Sequence, residues 1–391
     1  MKRLPSPWNL GGLLLLFIAG LVLRGLALPG ISGDMRWAYL PWYDFLRIHG
    51  LQGIGTNFSD YTPPYLYLLW LSTLTANFLP GVAAIKSISI LADVASAILV
   101  FRIVRLKYPT GLKAVLAGLL FWVLPTVMLN SSLWGQADAL YMVFLLLSLY
   151  CLLTDRPLPG VAAFGVAITI KAQAVFLAPL LAVLFFKRRI AWQHFLVVPL
   201  VYILLDLPVF LLGRPLLGIF TIYSSQADIF QSLSKNAPNP YLFLSAVPYG
   251  VGLAAGLAAA ALIVGCWVWL TARPKAALNP TTLLLTGLVS VALVPFALPK
   301  MHDRYWYPAD ILSLLLAFYM PELWFVPLLY QLISTSAYLV FLFSAPPVLT
   351  EIAAVLNGLT IVFLIWQQVR APASSMPHGK EGSLPRQQEN L

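Results

Sequence analysis

Long apolar stretches make up most of this 391-residue chain. Several reach the ~20 residues that an α-helix needs to cross the ~30 Å hydrocarbon core of a bilayer; the clearest are 8–28, 82–104 and 348–366. Charged residues are only 10% of the chain, against ~25% in a typical soluble domain. This pattern excludes a soluble globular enzyme, a disordered chain and a disulfide scaffold, and it predicts an all-α polytopic membrane protein.

The distribution of lysine and arginine orients these stretches, because basic residues concentrate in cytoplasmic loops. The chain has 24 Lys+Arg against 14 Asp+Glu, and we interpret this excess as cytoplasmic loop charge, not as a surface for nucleic acid. An arrangement of about 12 spans with both termini in the cytoplasm puts 15 of the 24 basic residues inside. In this arrangement 63–78 lies at the outer interface, and 157–186 forms a hairpin of two short helices.

These segments form one predicted transmembrane domain over residues 1–370. It has a first outer loop at 30–81 and a late outer loop at 213–240. The polar segment 371–391 is predicted to be a disordered cytoplasmic tail, since it has too few apolar residues to pack.

Five short polar stretches interrupt the apolar segments, and the predicted topology places all of them on the outer side. They are residues 33–37, 59–65, 130–138, 171–173 and 299–307. Ionisable groups at membrane depth are functional candidates by default. We therefore expect a single wet cavity on the outer side that gathers the five stretches.

The five stretches supply carboxylates, cations and aromatic rings. Asp34 directly follows the first span in a Gly-bounded turn, where a carboxylate is able to act as a general base. The alternative is an interfacial carboxylate paired with Arg36. Asp93 lies in the middle of a span, where it either serves chemistry or holds helices together. The candidates for holding a phosphate are Arg304, His302, Lys300, Lys171 and Lys86; the alternative is that these side chains extend to the membrane interface.

As a set, the stretches resemble motifs of the GT-C superfamily of membrane glycosyltransferases. The resemblance is greatest to glycosyltransferase family 87, which includes polyprenyl-phosphate-mannose-dependent mannosyltransferases, and it extends to dolichyl-phosphate-glucose glucosyltransferases. Gly33-Asp34 with Trp37 resembles the Gly-Asp pattern of the first loop. Residues 60–64 resemble an Asp-Tyr-Pro-Pro motif with Thr62 inserted, and 130–138 contains a Trp-Gly-Gln-x-Asp stretch.

Three later segments extend the resemblance. Residues 171–173 are similar to Lys-Pro-Gln with alanine in place of proline, and 301–305 are similar to Met-His-Glu-Arg-Tyr with Asp303 in place of glutamate. Asn236, Ala237 and Asn239 resemble an Asn-Ala-x-Asn segment of the late outer loop.

The resemblance implies a bundle of about 12 transmembrane helices with interfacial helices in the first outer loop. It also implies transfer of a hexose, with mannose favoured, from a polyprenyl-phosphate donor to a lipid- or glycan-borne hydroxyl. Asp34 is then the catalytic base. Arg304, His302, Lys171 and Lys86 are predicted to bind the donor phosphate. The residues predicted to bind or orient the substrates are Asp60, Tyr61, Trp134, Gln136, Asp138, Gln173 and Tyr305.

This chemistry suits the residues, because a polyprenyl phosphate leaves as a stabilised phosphate and needs cations, not a general acid. One carboxylate and a cationic clamp then suffice, whereas a glycosidase needs two carboxylates. A direct single displacement inverts the anomeric centre. The sequence has no Asp-x-Asp, His-x-x-x-His or Glu-x-x-His pattern, so it predicts no metal site and no cofactor.

The rival function is that of a multi-pass transporter or a flippase for lipid-linked sugars. A transporter of this kind is expected to show repeat symmetry and polar residues on a route to the cytoplasm, and neither pattern is visible. The transferase is therefore favoured. Its expected location is the cell membrane, either the bacterial inner membrane or the endoplasmic reticulum of a eukaryote, with the active site on the outer face.

Overall fold

The structure, a computed structural model of the chain, describes residues 7–215, 217–218, 221–223, 231–273 and 278–370. The predicted tail 371–391 and part of the late outer loop lie outside the described residues. The described part forms fifteen α-helices and one pair of short strands. The helices are α1 (Pro7–Ala27), α2 (Leu40–His49), α3 (Pro63–Thr73), α4 (Gly81–Lys107), α5 (Lys113–Trp122), α6 (Pro125–Met128), α7 (Asp138–Leu153), α8 (Pro157–Ile170), α9 (Ala178–Phe186), α10 (Val197–Leu211), α11 (Tyr249–Thr271), α12 (Pro280–Ala297), α13 (Tyr307–Tyr319), α14 (Val326–Phe343) and α15 (Val348–Arg370).

Seven helical segments within the described residues are long and apolar enough to cross a membrane. They contain α1, α4, α10, α11, α12, α14 and α15. The helical segments 113–122 and 125–134 meet at a bend of 46° and form either a broken eighth span or a re-entrant loop. The remaining predicted spans are shorter apolar helices, at 138–153, 157–170, 172–186 and 307–319. Each of these four begins or ends beside one of the polar stretches, so the candidate site is built on the short helices.

The first outer loop contains the short helices that the sequence predicts. After Asp34 come a π-helical turn at Met35–Tyr39, then α2, a 3₁₀ turn at Gly50–Gly55 and α3. Two prolines occupy the first positions of α3, where a missing N–H costs nothing. With 11 residues, α3 is about 16 Å long. It is too short to cross the membrane, as expected for 63–78.

Helix α12 lies at the centre of the bundle, and α1 and α10 lie at its edge. In α12, 78% of the residues are buried, whereas in the most apolar stretches of α1 and α10 only 11% are buried. Helix α12 packs against α13 and α15, while α7 packs between α4 and α8. The predicted hairpin at 157–186 is broken at Lys171, where the backbone is extended.

A buried ion pair joins α1 to α4. Arg24 donates to Asp93 Oδ2 at 2.7 Å, and the same nitrogen lies 2.8 Å from the hydroxyl of Ser131 and 2.9 Å from that of Ser132. Arg24 is 4% exposed and Asp93 is fully buried. Removing either partner would leave an uncompensated buried charge. These contacts agree with the interpretation of Asp93 as a group that holds helices together, and not as one that serves chemistry.

Two short parallel strands connect the late outer loop to the segment between α12 and α13. They are β1 (Ser234–Lys235) and β2 (Met301–His302), with Lys235 opposite His302. The backbone N–H of Lys300 also donates to the carbonyl of Leu233 at 2.7 Å. This pairing brings Lys235 to the edge of the candidate site.

Candidate functional site

Asp34 is held by two side chains from the 130–138 stretch. Trp134 Nε1 donates to Asp34 Oδ2 at 2.9 Å, and Gln136 Nε2 donates to the same oxygen at 2.5 Å. The partner of Asp34 is thus not Arg36, the alternative that the sequence left open. Within the described residues, no group donates to the other oxygen, Oδ1. The structure therefore presents a carboxylate with one oxygen fixed and one oxygen open.

A chain of hydrogen bonds fixes the orientation of Gln136. Its Oε1 accepts from the hydroxyl of Tyr39 at 3.0 Å, and that hydroxyl lies 2.7 Å from the hydroxyl of Tyr61. Because Oε1 faces Tyr39, the amide nitrogen of Gln136 points to Asp34. Tyr61, predicted to orient the substrate, thus acts on Asp34 through two intermediates.

Asp138 is the centre of a buried charged cluster. It is 1% exposed and accepts a hydrogen bond from Lys171 Nζ. Asn130 donates to Asp138 Oδ2 at 3.0 Å, and Arg304 Nε lies 3.6 Å from the same oxygen. The sequence assigns Lys171 and Arg304 to the donor phosphate, and the structure places the Asp138 carboxylate beside both of them. Asp138 balances one of the two positive charges.

Arg304 joins this cluster to Trp134. Its guanidinium carbon lies 5.5 Å from the centre of the Trp134 ring, and its Nη1 lies 3.8 Å from Asp303. Neither carboxylate contact is short enough to be a hydrogen bond, and the Arg304 side chain makes no hydrogen bond to any described residue. Burial disfavours its charge, but Asp138 and its neighbours hold the pKa of Arg304 well above the usual value.

A cavity of about 260 Å³ opens beside the cluster. Its polar lining consists of Gln173, Tyr223, Ser232, Lys235, Lys300, His302 and Tyr305. Gln173 donates to the hydroxyl of Tyr305 at 2.7 Å, so two predicted substrate-binding residues form one wall together. Lys235 was missed by the sequence reasoning. It lies outside the five polar stretches, directly before Asn236 of the late outer loop, and the pairing of β1 with β2 places it here.

His302 is a poor cation in this environment. Burial lowers its pKa to about 3, and the charges of Arg304, Lys171 and Lys235 add to the effect. The ring is therefore neutral at physiological pH, so in its predicted role at the donor phosphate it would act as a hydrogen-bond donor and not as a positive charge. The adjacent Asp303 behaves in the opposite way: burial raises its pKa to about 7, although Arg304 opposes the shift.

Lys86 does not belong to the site, contrary to prediction. Its side chain is fully buried, and Nζ donates to the carbonyls of Leu28 and Gly30 at 2.9 and 2.6 Å, with Ala27 at 3.2 Å. A lysine has three donors, and all of them satisfy carbonyls at the end of α1. Lys86 thus terminates a helix and has no donor left for a phosphate.

Other residues that the sequence singled out either bind backbone carbonyls or lie at the surface. Thr62, the inserted residue, donates to the carbonyl of Ile170 at 2.8 Å and joins the first outer loop to the end of α8. Asp60 is exposed on the turn before it. Asn236 and Asn239 bind backbone carbonyls at Ala337, Pro295 and Leu298. Within the described ranges, no three His, Cys, Asp or Glu side chains are placed to hold a metal ion.

The described helices define the class: this is an all-α polytopic membrane protein. More specifically, its fold is similar to that of ArnT from Cupriavidus metallidurans, known from a crystal structure of the apo state. The similarity has a TM-score of 0.53 and covers 92% of this chain and 78% of ArnT, with 14% sequence identity. No protein-family model matches the chain, and no curated protein is significantly similar to it in sequence.

Proposed function

We propose that the protein is a membrane glycosyltransferase that moves a hexose, with mannose favoured, from a polyprenyl-phosphate donor to a hydroxyl of a lipid or glycan acceptor. The proposal rests on the two charged groups that contact Trp134. Asp34 binds the edge of the indole with one open oxygen, and Arg304 lies over the face of the same ring without a hydrogen bond. A base and an anion-binding group are thus adjacent.

Asp34 is the base in this proposal. An acceptor hydroxyl gives its proton to Oδ1 of Asp34, and its oxygen attacks the anomeric carbon of the donor. The bond from that carbon to the phosphate oxygen breaks, and the electron pair leaves with the phosphate. Because one bond forms as the other breaks on the opposite side, the anomeric configuration inverts. Trp134 and Gln136 occupy Oδ2, so Oδ1 is the oxygen that faces the acceptor.

The cations of the site serve the leaving phosphate. Arg304 has guanidinium donors that no described residue uses, and a phosphate accepts such donors in strong charge-assisted hydrogen bonds. Lys300 and Lys235 line the adjacent cavity. They contribute the positive charge that the sequence prediction assigned to Lys86. Lys171 is held by Asp138 and is suited to positioning Arg304 through that shared carboxylate. A buried, preorganised cationic site stabilises a developing phosphate charge far more than water does.

The proposed location follows from the charge distribution. The candidate site lies at the end of the bundle that the basic-residue count assigns to the outside, and the polyprenyl chain of the donor would lie in the surrounding lipid. Single cysteines at Trp37 and Arg189, both exposed, test this orientation in a background without Cys151 and Cys266. Labelling from outside intact cells should reach position 37 only; labelling at 189 would contradict the topology.

The activity is tested with purified protein in liposomes. Polyprenyl-phosphate mannose and polyprenyl-phosphate glucose are supplied with a membrane lipid extract, and the release of polyprenyl phosphate is measured. Nucleotide sugars serve as alternative donors. We expect consumption of a polyprenyl-phosphate hexose that depends on Asp34, with no use of nucleotide sugars. Asp44→Asn is the matched control, because Asp44 lies in the same loop and is 57% exposed. Turnover of nucleotide sugars alone would refute the proposal.

A further inference from the structure

A second cavity lies at the opposite end of the bundle from the candidate site. Its volume is about 360 Å³, and it lies where α7 ends and α8, α12 begin. Helix α7 starts at Asp138 of the candidate site and has 16 residues, so the two sites are about 24 Å apart along that helix. The second cavity therefore does not belong to the transfer site.

The cavity has an apolar floor and a charged rim. Leu152, Leu184 and Leu283 form the floor, and each is at most 8% exposed. Arg188 and Arg189 stand at the rim together with Asn279. The apolar floor suits hydrocarbon, and the two guanidinium groups suit an anion with several oxygen acceptors. The combination fits an amphiphile with an anionic head.

The surroundings place this rim at a membrane boundary. Trp192 and Trp269 are 60% and 63% exposed, and exposed tryptophans gather at the level of lipid headgroups. The Arg273 guanidinium lies 4.2 Å from the Trp269 ring centre. Lys187 also donates to the carbonyl of Arg273 at 2.9 Å, which adds a third basic residue of the 187–189 run to this region. Basic cavities between helices on the cytoplasmic side are suited to the headgroups of anionic lipids.

One carboxylate opposes anion binding at the rim. Asp155 is 80% exposed, and its Oδ1 lies 3.3 Å from Nη1 of Arg189. This pair is exposed, so it is worth little in stability, and a phosphate is able to compete for Arg189. Asp155 thus lowers the affinity of Arg189 for a phosphate, and the fold does not depend on this pair.

We infer that this cavity binds the phosphate and glycerol region of an anionic phospholipid of the inner leaflet, with Arg188 and Arg189 as the phosphate ligands. The inference does not depend on the transferase activity, because the residues lie at the other end of the helices. It would hold equally if the protein transferred a different sugar or none.

Native mass spectrometry of the purified full-length protein tests the inference. The probes are phosphatidylglycerol, phosphatidylcholine with the same acyl chains, and inorganic phosphate. We expect tight binding of phosphatidylglycerol only. The double variant Arg188→Gln/Arg189→Gln should weaken it about tenfold or more, as the loss of charge-assisted contacts implies. Equal retention of phosphatidylcholine, or equally tight binding of inorganic phosphate, would overturn the assignment to an anionic lipid.

Two further variants separate specific binding from general charge. Arg102→Gln/Arg105→Gln removes the same charge from exposed positions near the end of α4, and it should leave phosphatidylglycerol binding unchanged. Asp155→Asn should strengthen binding, because Arg189 loses its competing partner. Asparagine also accepts the positive φ of 54° at this position, so the variant should fold. An equal loss in the control pair, or no gain in Asp155→Asn, would overturn the inference.

Discussion

Replacing Asp34 by asparagine should abolish most of the transfer and leave the fold and donor binding in place. Trp134 Nε1 and Gln136 Nε2 both donate to Oδ2, and asparagine keeps one oxygen for these two donors. Its amide nitrogen then occupies the position of Oδ1, where it cannot accept a proton. Hydrogen bonds to a neutral acceptor are roughly half as strong as those to a carboxylate, so the structural cost is small.

The rate effect is larger. A positioned general base contributes about 10²–10⁴-fold, which equals about 2.7–5.4 kcal/mol of activation free energy at 1.36 kcal/mol per decade. The assay is single-turnover sugar transfer in liposomes, with donor binding measured in parallel. Asp34→Glu is a useful companion, because it retains the carboxylate but moves it along the side chain and should keep partial activity. Near-normal turnover of Asp34→Asn would remove Asp34 as the base, and loss of both binding and fold would make the residue structural.

Four other outcomes are expected. Lys300→Gln should raise the KM for the donor about tenfold with a smaller change in kcat, as expected for one lost charged contact; an unchanged KM would remove Lys300 from the phosphate site. Arg304→Ala should weaken donor binding strongly and Arg304→Lys should restore it only in part, because the planar fork is lost; equal affinities measured by donor titration would contradict this. Arg24→Leu should destabilise the protein by about 3–5 kcal/mol, since Asp93 is left as a buried charge, and a second change of Asp93 to leucine should recover most of the lost unfolding temperature. Asp303 has a folded pKa near 7 against an ordinary value of 3.8, so its stabilising effect is complete below pH 3.8 and is lost as the pH rises through 7; thermal unfolding of Asp303→Asn should lack this component of the pH dependence.

The sequence was sufficient for the class of fold, because crossing a bilayer is a local property of the chain. Apolar length and the absence of charge decide whether a segment is stable in lipid, and both are read directly from stretches such as 8–28. The observed helices α1, α4 and α15 follow these stretches within a few residues. The break at Lys171 and the short helix α3 were also predictable, since the basic residues at 102–107 and 187–189 decide which neighbouring segments cross the membrane.

The polar stretches identified most of the residues that meet at the candidate site, including Asp34, Trp134, Gln136 and Arg304. Their partners were not predictable. Whether Asp34 binds Arg36 or Trp134 depends on how the first outer loop packs against a helix about 100 positions further along the chain. Composition and spacing have no information on that packing.

Tertiary structure alone decided the electrostatic state of each candidate. Lys86, Lys171 and Arg304 are equivalent as cations in the sequence, but Lys86 donates to three backbone carbonyls and Lys171 to Asp138, while the guanidinium of Arg304 makes no hydrogen bond to a described residue. Burial makes His302 neutral, and the strand pairing brings in Lys235. The physical reason is that charge and hydrogen bonding in a low-dielectric interior depend on contacts within a few ångströms, and the chain makes those contacts between segments that are remote in sequence.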